Sequence, residues 1–147
     1  GPMIESLAAR VKFAQGDRAG AARLLGESYA RYPKSRPLLY AHADALFDAG
    51  EHQQAMKLLD ESLRVHPRDA RLYALQAKTY AVLGKRTAQH QAQAEVYALQ
   101  GSLPAAIEQL QIARSAGDGD FYQLSVIDAR LKELRAQHAQ EMKDAKR

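Results

Sequence analysis

Gly16-Asp-Arg-Ala-Gly-Ala21-Ala-Arg-Leu24-Leu25-Gly-Glu-Ser28-Tyr-Ala-Arg-Tyr-Pro33 and Gly50-Glu-His-Gln-Gln-Ala55-Met-Lys-Leu58-Leu59-Asp-Glu-Ser62-Leu-Arg-Val-His-Pro67 decide the fold between them. Laid one over the other at an offset of 34 residues, they share Gly, Ala, Leu-Leu, Ser and Pro in register, and Gly84 follows Gly50 by the same interval. Each shared type has a conformational reason. Glycine leaves a helix through a left-handed cap that other residues enter only at a cost, and alanine lets a second helix approach the first closely. Leucine four residues after the alanine lies on the same helix face, and proline closes the unit because it cannot continue a helix.

Working outward, the 3.6-residue pattern predicts helices at about 4 to 15, 18 to 31, 37 to 49, 52 to 65 and 70 to 83, with Pro37 in a first turn and Asp69 as an N-cap. The next turn glycine, Gly101, comes only half a period after Gly84. A helix over 86 to 100, with Ala88, Ala92, Val96 and Leu99 on one face and Ala94, Tyr97 and Ala98 around the other, can therefore pack on two sides. It closes the third unit and opens the fourth, which a helix over 104 to 116 completes with Ala106 and Leu110. Gly117-Asp118-Gly119-Asp120 breaks the chain, and Asp118 or Asp120 can cap a last helix with the stripe Phe121, Leu124, Ile127, Leu131 and Leu134. Beyond Leu134 the pattern fades, and residues 138–147 are expected to fray. No segment alternates over strand lengths, so about nine helices and no sheet are expected.

Thirty-four residues with this pattern of Gly, Ala, large apolar and Pro resembles the tetratricopeptide repeat. The expected fold class is all-α: a tetratricopeptide-repeat helical solenoid of about four helix-turn-helix units with a C-terminal capping helix. It would form one domain over 1–137, in which Gly1 and Pro2 look like the remnant of a cleaved tag on an excised fragment.

Composition narrows function by exclusion. The chain has 147 residues, 46% hydrophobic and 26% charged, which suits an ordinary globular domain. It has no cysteine, which excludes disulfides, thiolate nucleophiles and cysteine zinc sites. The net charge of +4 is not clustered: residues 1–37 hold seven basic and three acidic side chains, 38–117 hold eight of each, 118–129 are acidic, and 130–147 are basic again. Nucleic-acid binding needs concentrated positive charge and is not expected. No 18-residue apolar run exists, so no membrane insertion is expected. The histidines, His42, His52, His66, His90 and His138, are never paired at i, i+4 and read as surface or groove residues, so no metal or other cofactor is expected. Neither H-E-x-x-H, G-x-S-x-G, a P-loop nor G-x-G-x-x-G is present, and no catalytic residue is assigned. Tyr73, Tyr80 and Tyr97 fall at helical spacing and read as packing residues.

What remains is binding. First helices line the concave face of such repeats, where extended peptides or partner helices lie. By register these residues are Tyr40, Asp44, Phe47 and Asp48 in the second unit, and Arg71 and Lys78, with Ala74 and Val82, in the third. Arg10 and Phe13 are weaker matches in the first. Acidic and aromatic groups on one unit and basic groups on the next suit a protein partner of mixed charge with an apolar anchor.

The run Tyr97-Ala-Leu-Gln-Gly, Ala106-Ile-Glu-Gln-Leu-Gln-Ile-Ala113-Arg, Gly117-Asp-Gly-Asp-Phe-Tyr and Ile127-Asp-Ala-Arg-Leu-Lys-Glu-Leu134 resembles the C-terminal repeat domain of the β-barrel assembly-enhancing proteases, periplasmic zinc metalloproteases. The likeness covers about residues 80 to 135. It implies a periplasmic setting and a non-catalytic docking role. The partners it implies are the outer-membrane β-barrel assembly machinery or unfolded outer-membrane proteins, together with the chain's own protease domain in the full-length protein. The protease motif of that family has no counterpart here. A free-standing repeat adaptor of another system would share every feature except this run.

Overall fold

The computed structural model describes residues 1–147 and contains eight helices and no strand. They are α1 (Pro2–Ala14), α2 (Arg18–Arg31), α3 (Arg36–Asp48), α4 (His52–Val65), α5 (Ala70–Val82), α6 (Arg86–Leu99), α7 (Leu103–Ser115) and α8 (Phe121–Ala145). The fold class is all-α, of the tetratricopeptide-like helical-repeat type. The count is eight rather than about nine because α6 packs against both α5 and α7 and so serves two hairpins. Pro37 lies in the first turn of α3, as its fixed φ favours.

The turns explain the repeat. At Gly50 φ is +78°, and the following N–H, of Glu51, donates to the Leu46 carbonyl at 2.8 Å, the long-range bond of a Schellman cap. The same bond recurs from Asp17 to Lys12, Lys85 to Tyr80 and Ser102 to Tyr97. The half-period turn at Gly101 is thus built like the full-period ones. Helix starts are capped by side chains: Asp17 accepts from the Gly20 N–H at 2.8 Å, Ser35 from Leu38 at 3.3 Å, Asp69 from Leu72 at 3.2 Å and Asp120 from Gln123 at 2.7 Å.

The helices form two compact units, Gly1–Ser62 and Leu63–Arg147. In the first, Ala9, Ala22, Leu25, Leu38, Ala45, Leu46 and Ala55 make one apolar cluster. Glu5 and Arg31 form an ion pair that ties α1 to α2 and holds the Glu5 carboxyl below its usual range. His42 is half-buried rather than a surface residue. A Cβ on Gly26 would lie 3.0 Å from its Nε2, so the glycine makes room for the ring, and Tyr29 packs at 6.2 Å between centroids. Burial holds the His42 pKa below its usual value.

In the second unit, Ala94, Leu103, Ala106, Leu110, Ala113, Ile127, Leu131 and Leu134 form the core, with Tyr97 packed against it. Arg114 and Asp128 tie α7 to α8, at 2.6 and 3.2 Å. The stripe expected on the last helix needs correction at its first residue. Phe121 is 87% exposed: it is the first residue of α8, and burial begins in earnest only at Ile127. Of the two candidates for the α8 cap, Asp120 takes the place, and Asp118 caps α6 instead, accepting from the Arg86 and Thr87 N–H groups at 2.8 and 2.9 Å. Lys85, at the N-cap of α6, offers no capping acceptor, and Asp118 supplies it from 31 residues away. Hydrogen bonds from the Thr87 side chain and backbone hold the Asp118 carboxyl below its usual range. Over 138–147, where fraying was expected, the backbone stays helical to Ala145. Nothing after Leu134 is buried, and the Ala, Gln, Glu and Lys of this stretch are good helix formers. No helix is long and apolar enough to cross a membrane.

Candidate functional site

The first unit holds a cleft of about 410 Å³, formed by α1, α2 and α3. Its apolar surface comes from Ala9, Phe13, Ala21, Leu25, Ala41 and Ala45, and its polar groups are Ser6, Arg10, Asp44 and Asp48. The sequence puts them there by helical spacing. Ser6, Arg10 and Phe13 are three and four residues apart on α1, while Ala41, Ala45 and Asp48 with Asp44 line one side of α3. Ala21 and Leu25, the signature pair of the repeat, present small and branched side chains from α2 beneath them. Arg10 and Asp48 are exposed, Asp44 is half-buried, and Arg18 lies over the Phe13 ring at 5.6 Å. Asp44 and Asp48, one turn apart on α3, put negative charge on this side of the cleft.

Four of the eight residues singled out from sequence, Arg10, Phe13, Asp44 and Asp48, are thus brought together in one cleft. Tyr40 and Phe47 are on α3 too, but neither lines it. Phe47 turns its ring edge-on to His52 at the start of α4, with centroids 4.8 Å apart. Arg71 and Lys78 belong to α5 in the second unit, where both are exposed. The two residues considered weakest, Arg10 and Phe13, are therefore as central to the cleft as the α3 carboxylates.

The second unit has a polar cleft of about 390 Å³ that sequence reasoning missed. Tyr73, Gln76 and Tyr80 face it from α5, Ala88, Gln91, Ala92 and Glu95 from α6, and Gln123 from α8. Tyr73 and Tyr80, expected to be packing residues, are half-buried and also line this cleft. Only Tyr97 of the three joins the core. The Arg130 guanidinium grips Glu95 with two bonds, at 2.8 and 3.0 Å, and Gln123 Nε2 donates to Gln91 Oε1 at 3.2 Å. Burial, and then the Glu95 charge, raise the Tyr73 phenol above its usual range. Both spacings, i, i+3, i+7 on α5 and i, i+3, i+4, i+7 on α6, were visible in the sequence, but the partner face from α8 was not.

Fold and repeat together define the class: a helical chain of tetratricopeptide type, the kind of architecture that binds other proteins. The family model described as tetratricopeptide repeat matches residues 12–79. No curated protein matches the chain. Among solved structures, the chain is similar to MamA (41-end) from Desulfovibrio magneticus RS-1, at 16% identity and a TM-score of 0.48, with 97% of this chain and 93% of that one covered. It is also similar to a thermophilic tetratricopeptide-repeat protein of Thermus thermophilus, at 18% identity and a TM-score of 0.48, covering 100% and 93%.

Proposed function

We propose that this chain is a non-catalytic protein-docking module whose first-unit cleft receives an extended segment of its partner. The observation that carries this is the cleft itself, an apolar floor of alanines and Leu25 flanked by Phe13, with Arg10 on α1 and Asp44 and Asp48 on α3. A peptide with an apolar side chain beside a basic one fits it: the apolar group covers the floor and the cation meets the exposed Asp48 carboxylate at the edge. An acidic group nearby on the same peptide would meet Arg10.

We further propose that the module serves a periplasmic metalloprotease, docking it to the outer-membrane assembly machinery or to unfolded β-barrel clients. Its support is the resemblance of residues 80 to 135 to the repeat domain of the β-barrel assembly-enhancing proteases. The test is capture from an envelope extract by the wild-type chain and by Asp48→Lys and Phe13→Ala variants, with captured proteins identified by mass spectrometry. Assembly-machinery subunits or β-barrel proteins, retained by the wild type and lost by both variants, are expected. Capture of unrelated proteins would leave the docking role and sink the periplasmic assignment, and capture indifferent to both variants would sink the cleft.

A further inference from the structure

The two walls of the first-unit cleft are held very differently. α3 buries Leu38, Leu39, Ala43, Ala45 and Leu46, whereas α1 buries Ala9 alone, and every other helix buries at least three residues. The large apolar side chains of α1 do not grip the unit: Met3, Ile4, Leu7 and Val11 are 86%, 71%, 58% and 50% exposed. Hydrophobic hold scales with the apolar area removed from water, so α1 is the weakly held wall.

Its polar hold sits at one end. Glu5, in the first turn, pairs with Arg31 at the last residue of α2, and the Ser28 hydroxyl lies beside the same carboxylate. At the other end the chain turns through Gly16, where φ is +83° and a Cβ would meet nothing within 4 Å. The Lys12–Asp17 pair at 3.8 Å and the contact of Arg18 with Phe13 lie next to that turn, where a swing of the helix displaces them least. Rotation of α1 about Gly16 carries Ser6, Arg10 and Phe13 away from Asp44 and Asp48, while Leu25, Leu38, Ala45 and Leu46 keep α2 and α3 packed.

We propose that α1 is a hinged wall of the cleft: released from the Glu5–Arg31 latch, it swings out as a unit about Gly16, admits the partner segment and closes on it. The proposal rests on the docking reading only for what enters; the motion belongs to the free chain. A segment that touches Arg10 and Phe13 as well as α3 binds the closed form more tightly and shifts the balance towards it. A 13-residue helix deprived of its packing is marginal in water, so each opening also exposes the α1 amides to exchange.

The test uses the full chain, whose lack of cysteine allows a Glu5→Cys/Arg31→Cys pair to be joined by a short bismaleimide. Amide exchange is followed by NMR in the free chain and with a blocked Gly-Ser-Leu-Lys-Ser-Gly peptide as the probe. In the free wild type, amides from Leu7 to Phe13 should share one protection factor, about tenfold or more below those of α3. Glu5→Gln should lower it roughly threefold further and leave α3 unchanged. The peptide should raise α1 protection, and it should associate about tenfold more slowly with the cross-linked chain than with the same variant before cross-linking. Protection in α1 equal to that in α3, a steady gradient from Ile4 to Phe13 that marks fraying, or association indifferent to the cross-link overturns the proposal. A peptide that binds neither chain defeats the docking reading and the gating role with it, whereas the hinge is decided by exchange in the free wild type alone.

Discussion

Ala55→Leu is the perturbation that tests the repeat register most sharply. Ala55 is fully buried in the first unit's cluster, together with Leu38, Ala45 and Leu46. Leucine adds three carbons. With space to receive them, burial would stabilise by about 2.4 kcal/mol at ~0.8 kcal/mol per methylene. No open face is available: Ala55 is fully buried, and Leu38 and Leu46 of its cluster are themselves buried. The added branch must displace packed side chains or part the helices, and the net effect is expected to be a loss of about 1 to 3 kcal/mol. Urea unfolding followed by circular dichroism gives the size of the loss, and amide hydrogen exchange gives its place. Protection should fall in α2 to α4 and hold in α7 and α8, whose core contains none of the affected residues. Ala55→Ser is the size control. An Ala55→Leu chain that melts within about 0.5 kcal/mol of wild type, the range of an ordinary surface substitution, would refute the tight packing argued for this position.

The other predictions concern different parts of the molecule. Leu110→Ala removes a fully buried side chain from the second unit's core and should cost about 2 to 5 kcal/mol, read as lost exchange protection in α7 and α8. His42 has a folded pKa below its ordinary 6.5, so the unfolded chain takes up its proton first. Stability should be unaffected by this group above pH ~6.5 and should fall as the pH drops from there towards the folded pKa. Urea midpoints between pH 5 and 7.5 should therefore slope less in His42→Gln than in wild type, and parallel slopes would dismiss the assignment. Asp118→Ala leaves two N–H groups of α6 without their acceptor, and faster exchange at Arg86 and Thr87 is the expected signature.

The parts of this fold that were legible in sequence are those governed by local conformation. Gly16, Gly50 and Gly84 announce left-handed caps whatever surrounds them, and α2 and α4 begin and end where the pattern placed them. The half-period at Gly101 foretold a helix packed on two sides. Register within that helix was less visible. The positions 34 residues after Ala55 and Leu59 are Gln89 and Gln93, and burial passes instead to Thr87, Ala92, Ala94 and Val96. That change of face brings Gln91 and Glu95 to the polar cleft opposite Gln123 and Arg130 of α8, a meeting set by packing and not by any spacing along the chain. Asp118 capping a helix that begins 32 residues earlier is of the same kind. In the first unit the α3 register singled out Asp44 and Asp48, and both line the cleft. It could not show that Phe47 turns to His52, because an aromatic at the edge of a helix face has partners on either side.

The central claim is that the first-unit cleft takes a partner segment, and site-specific photo-crosslinking tests it most directly. A photoreactive phenylalanine analogue is placed at position 13, at position 48 and, as a control on α4, at the exposed position 64, and each chain is irradiated in an envelope extract. The account predicts one and the same partner crosslinked from positions 13 and 48 and none from position 64. Crosslinks from position 64 with none from 13 or 48 would contradict it.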